Sequence, residues 1–159
     1  MLRNQTEYKV KFKFGVFFLV LAAIIALCNA LAHLSCLYFG PECYASQLAP
    51  EQLIESANNE TYLAPLANVV VSTIFIIWGF YALSGAGLIR KLPLLKISIY
   101  LIAILCIVRG ILPLQVWLRN PEIVNDRAFY YGVGWLITGL LYVIGYRLSI
   151  SRESQTVQK

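Results

Sequence analysis

Four long apolar stretches constrain this chain more than any other feature. They occupy residues 14–34, 66–89, 97–118 and 129–148 and are almost free of charge. Each is roughly 20 residues long, which as a helix rising about 1.5 Å per residue crosses about 30 Å of hydrocarbon. A chain of 159 residues that is 59% hydrophobic and only 13% charged lacks the polar surface to cover four such helices in water. The runs also lack the alternation and the roughly ten-residue segments of a membrane barrel. The expected fold is therefore all-α: an integral membrane four-helix bundle forming one domain over residues 1–150, with a short polar tail at 151–159. The first run follows Lys9, Lys11 and Lys13, as the core of a secretory signal would. It is too long for one, and Asn29 and His33 spoil a cleavage site, so it reads as an uncleaved span.

Orientation follows from the placement of Lys and Arg, because positively charged flanks resist translocation. Arg3, Lys9, Lys11 and Lys13 precede the first span, Arg90, Lys91 and Lys96 lie between the second and third, and Arg147, Arg152 and Lys159 follow the fourth. All three segments are expected in the cytoplasm, with both termini. The connection 35–65 has no Lys or Arg and carries Glu42, Glu51, Glu55 and Glu60, so it faces outward. The net charge of +5 is mostly this topological bias and is no argument for nucleic acid as a partner. The expected partners are the lipid bilayer and either a second copy of the chain or another membrane protein. Trp117, Tyr130, Tyr131 and Trp135 fall toward the outer interface and Tyr146 toward the inner one, whereas Trp78 sits mid-span and reads as a packing residue.

The outer connection has structure of its own. Pro50, Glu51 and the Leu53-Ile54 pair predict a short surface helix over 50–57, with proline and carboxylates in its first turn. Cys36 and Cys43 flank a Gly40-Pro41 turn in an outward, oxidising setting, where a structural disulfide is expected. Cys28 and Cys106 lie within spans as small apolar packers. A quinone-linked thiol oxidoreductase would need a close Cys-x-x-Cys and a second outer pair, and the sequence offers neither. His33, the sole histidine, with Cys36 is at best half a metal site, so neither metal nor cofactor is expected. No catalytic constellation is present. Asn59-Glu60-Thr61 fits a glycosylation acceptor, but so short a pattern recurs by chance.

Arg109 is the costly residue. It lies about 3 Å from the middle of the third span, where an arginine costs about 2.5 to 3.5 kcal/mol to insert. Guanidinium cannot escape by losing its proton and must find acceptors. Most other polar side chains within the spans fall in the outer half: Asn29 and His33, Asn68 and Ser72, and Gln115. Asn29 with His33, and Asn68 with Ser72, are four residues apart and share a helix face. Pro113, four residues after Arg109, removes a backbone donor and is expected to kink the span. Two readings stay open: an outward-facing polar pocket in which Arg109 orients an anion, or a structural Arg109 that fixes packing against carbonyls or a loop carboxylate.

The segment Tyr81-Ala82-Leu83-Ser84-Gly85-Ala86-Gly87-Leu88-Ile89-Arg90-Lys91-Leu92-Pro93-Leu94-Leu95, with Arg109-Gly110, resembles a group of small four-span bacterial inner-membrane proteins of unknown function. The resemblance implies a bacterial inner-membrane protein and carries no activity. The functional expectation is a non-enzymatic membrane component or small-ligand binder centred on Arg109, Asn29, His33, Asn68, Ser72 and Gln115. The alternative is a transporter or channel subunit acting as an oligomer, against which stand the almost wholly apolar inner halves of spans one, three and four.

Overall fold

A computed structural model of the chain describes residues 2–119 and 126–150, with side chains from Val10 onward. The expected polar tail lies outside these residues. The described chain is all-helical: α1 (Leu2–Phe39), α2 (Pro41–Ser46), α3 (Glu51–Asn58), α4 (Leu63–Gly85), α5 (Leu95–Arg119) and α6 (Asp126–Ile150). Four helices are long and apolar enough to cross a membrane, over Val10–Phe39, Leu63–Gly85, Leu95–Arg119 and Asp126–Ile150.

Their exposed surfaces are apolar. On α5 the buried positions are Ile99, Ile102, Ala103, Cys106 and Gly110, while Leu101, Ile104, Leu105 and Val108 are exposed. In water such a surface would drive aggregation. In a bilayer the large side chains lose nothing by facing lipid, and the small ones let backbones approach.

The residues group into two units, Met1–Ala23 with Phe80–Lys159, and Ile24–Gly79. In the first unit α5 packs along α6. The crossing is closest where Gly110 meets Gly132: a Cβ on Gly110 would lie 2.7 Å from the Gly132 carbonyl oxygen and 2.8 Å from the Leu136 nitrogen. The start of α1 reaches α6 in the same manner, Gly15 lying against Gly145 and Ser149. Tyr142 and Leu19 are among the largest fully buried side chains.

Residue 89 is the expected end of the second span, but α4 stops at Gly85. The Gly87 N–H donates to the Ser84 carbonyl at 3.1 Å and the Leu88 N–H to the Leu83 carbonyl at 3.1 Å. Gly87 takes φ +74°. This is a Schellman closure, in which a left-handed residue lets two backbone donors turn back onto the last carbonyls. Leu88 and Ile89 extend the apolar run without extending the helix.

In the second unit α1 continues through Cys36 to Phe39. Gly40 then turns the chain with φ 72° and ψ −154°, a region essentially closed to other residues. Cys43 thereby returns to Cys36, with a Cα–Cα distance of 5.1 Å, and the two form a disulfide. Cys36, Tyr44 and Ala64 make a small core, against which Cys43, Ala49, Ile54 and Ala57 pack. The expected surface helix is α3, displaced by one residue because Pro50 serves as its N-cap. Both α2 and α3 close like α4, but with Leu48 (φ 55°) and Glu60 (φ 52°) in the left-handed position. The Ala49 N–H reaches the Tyr44 carbonyl at 3.1 Å and the Thr61 N–H the Ser56 carbonyl at 2.9 Å.

Candidate functional site

Four of the six polar residues singled out in the sequence belong to the second unit. Asn68 is buried, and its amide donates to the His33 carbonyl at 2.5 Å and to the Tyr44 hydroxyl at 3.4 Å. One side chain on α4 thus ties α1 and α2, and helix spacing aims it there: Ala64, Asn68, Ser72 and Phe75 form a buried row on α4 at intervals of three or four residues. The His33 ring stacks on Phe75 with centroids 5.4 Å apart and planes 13° apart. Phe75 meets Trp78 edge-on at 5.4 Å, so the mid-span tryptophan belongs to an aromatic row.

Asn29 uses its amide on its own helix, donating to the Ile25 carbonyl at 2.8 Å. Ser72 is only 1% exposed. Among the described residues its hydroxyl finds no hydrogen-bond partner, an arrangement that costs about 1 to 3 kcal/mol. The structure therefore joins His33 and Asn68 directly, leaves Asn29 satisfied within α1, and leaves Ser72 buried and unsatisfied.

Gln47 was not singled out in the sequence. Its amide donates to the Ala32 carbonyl at 2.7 Å and to Cys36 Sγ at 2.9 Å, and lies 3.6 Å from Cys43 Sγ. A glutamine four residues past a loop cysteine carries no signal of such a role, because the contact depends on α2 folding back beneath α1. A cavity of about 270 Å³ beside the disulfide is lined by Cys36, Tyr44, Glu60 and Tyr62 among others.

Arg109 and Gln115 belong to the first unit, on α5, and both are exposed. Six residues along a helix turn about 600°, so the two point roughly 120° apart and do not share a face. Arg109 lies beside buried Gly110, at the edge of the seam with α6, and its guanidinium carbon stands 5.4 Å from the centre of the Trp135 ring. The row it occupies on α5 is otherwise apolar: Leu105, Leu112 and Val116, each exposed. Pro113 sits inside an uninterrupted α5. It offers no N–H to the Arg109 carbonyl one turn earlier.

The energetics of this pair decide what it can do. Stacking on the indole contributes about 0.5 to 2 kcal/mol, against about 2.5 to 3.5 kcal/mol for a mid-span arginine. The ring alone does not offset the insertion cost. Among the described residues no group of three or more His, Cys, Asp or Glu could hold a metal ion.

Comparison with known protein families, with curated proteins and with solved structures finds no match to this chain.

Proposed function

We propose that this chain is a non-enzymatic, multi-pass component of a bacterial inner membrane, with both termini in the cytoplasm, that binds a small anionic or lipid-borne anionic group through Arg109. The observation that supports this is the exposed guanidinium near the middle of α5, stacked on Trp135 and set in a row of lipid-type side chains. A cation in that position gains from any anion that approaches along the helix face, while Trp135 holds it ready. The basic segments on one side of the spans and the lysine- and arginine-free loop on the other support the orientation.

The test uses the full chain in detergent with dodecyl phosphate and decanoate as probes, read by thermal shift and tryptophan emission. Wild-type protein is expected to be stabilised by at least one probe and to show a change in emission. Arg109→Leu should fold and lose both responses, and Arg109→Lys should keep part of them. An Arg109→Leu protein that folds and responds like wild type would end this reading. Failure of Arg109→Leu and Arg109→Gln to fold, with Arg109→Lys folded but unresponsive, would make the arginine structural.

A further inference from the structure

The second unit carries a charge imbalance that its own sequence does not offset. Residues 24–79 contain Glu42, Glu51, Glu55 and Glu60 and no Lys or Arg. All four glutamates are exposed, and a surface of one sign raises the local concentration of the other. Glu60 differs from the other three in lining the cavity of about 270 Å³ beside the disulfide, together with Tyr44, Thr61 and Tyr62. Drug-sized ligands occupy about 300 to 1,000 Å³, so this cavity suits a smaller molecule.

Its walls are set before any ligand arrives. On one side Cys36 is tied to Cys43, and Tyr44 is buried with Cys36 and Ala64 in the small core. On the other, the Ser56 hydroxyl accepts the Ala64 N–H at 2.9 Å and lies 2.6 Å from the Thr61 hydroxyl, while the Thr61 N–H donates to the Ser56 carbonyl at 2.9 Å. These bonds fix the backbone on either side of Glu60 and Tyr62. Glu60 itself takes φ 52°, a conformation that favours glycine. A carboxylate thus stands on a wall whose ordering cost has already been met by folding.

The lining also selects among cations. The Tyr44 hydroxyl accepts the Asn68 amide at 3.4 Å, and the Thr61 hydroxyl is shared with Ser56, so few side-chain acceptors remain. A primary ammonium brings three N–H donors that each need one. A quaternary ammonium brings none, and is held by negative charge and by aromatic faces. The Tyr62 ring, 89% exposed, is open to such a contact. We infer that this cavity binds a small solute with a quaternary ammonium and a net positive charge, Glu60 supplying the counter-charge and Tyr62 the aromatic wall. A phosphate on the same molecule, as in a phosphocholine headgroup, would meet four carboxylates and no Lys or Arg, so the free cation is the ligand and not the zwitterionic lipid.

The test follows choline binding to the full chain in maltoside detergent by saturation-transfer NMR, with ethanolamine, phosphocholine and dimethylbutanol, the uncharged carbon isostere of choline, as comparators. Choline should bind saturably and several-fold tighter than each comparator. Glu60→Gln should weaken it about fivefold and Tyr62→Leu about threefold. Tyr38→Leu, which alters a tyrosine as exposed as Tyr62 but away from the cavity lining, should leave it unchanged. Glu60→Gly should also lose affinity while folding at least as stably as wild type, so that loss cannot come from unfolding. No saturable binding of choline, equal binding of any comparator, or unchanged affinity in Glu60→Gln would each overturn the inference. Arg109→Leu, in the first unit, should keep choline binding, so failure here is separable from failure of the Arg109 reading.

Discussion

The α5–α6 seam makes a prediction in which two substitutions of the same kind go in opposite directions. At Gly110 an added Cβ would lie 2.7 Å from a carbonyl oxygen and from Leu136 Cγ, and 2.8 Å from a backbone nitrogen. Backbone atoms of α6 cannot swing aside as a side-chain tip can, so the helix itself must retreat by about 0.5 Å. A gap of that size forfeits about a quarter of the dispersion energy of neighbouring contacts. One such contact is Gly139 against Ala103 and Cys106. Overpacking of this kind costs about 1 to 3 kcal/mol. At Gly134 an added Cβ meets nothing within 4 Å. Both substitutions gain up to about 1 kcal/mol of helix propensity, so that gain cancels between them and their difference isolates the packing cost. Gly134→Ala is expected to raise the thermal midpoint in detergent and Gly110→Ala to lower it. At about 2 to 4 °C per kcal/mol for a chain of this size, their midpoints should differ by several degrees. Equal midpoints would refute the close crossing at Gly110.

Four further outcomes follow, mainly from the second unit. Gly40→Ala should cost about 1 to 3 kcal/mol, read as a lower thermal midpoint, because φ 72° and ψ −154° exclude a side chain even though nothing crowds the position. Glu60→Gly should stabilise by about 1 kcal/mol in the same assay, since φ 52° at the end of α3 suits glycine and the carboxylate there opposes the helix dipole. Reduction of Cys36–Cys43, seven residues apart, should lower stability by about 2.5 kcal/mol on the loop-closure relation. Maleimide labelling of the denatured chain should count two thiols before reduction, Cys28 and Cys106, and four after it.

The number of long helices was legible because each is an apolar run long enough to be read from hydropathy alone. Their ends were not, because apolarity and helicity are different properties. Leu88 and Ile89 are apolar yet lie beyond the Gly87 closure, and α1 remains helical past residue 34 through Cys36 to Phe39. The helix α2 is not legible in the sequence because six residues carry no readable period, and its defining event is the backbone turn at Gly40. The disulfide was foreseeable from loop position and turn chemistry, since both speak of backbone reach. Gln47 was not, since its bond to Cys36 Sγ is a product of α2 having folded.

The candidate site divides along the same physical line. Depth in the bilayer is a sum along the chain, so the mid-span position of Arg109 could be read from residue numbers. Rotation about the helix axis requires an asymmetry around the helix, and α5 is apolar nearly all round, so hydrophobic periodicity offers none. The usable signal was residue size: Ala103, Cys106 and Gly110, spaced by three and four, mark the face that meets α6. From that face Arg109 lies about 100° away, at the edge of the seam and not within it. The same reasoning separates Gln115 from Arg109 and places Asn68 on the buried row of α4 with Ala64, Ser72 and Phe75. Small-residue spacing, applied before polarity, separates Asn68 and Ser72, buried on α4, from Arg109 and Gln115, exposed on α5.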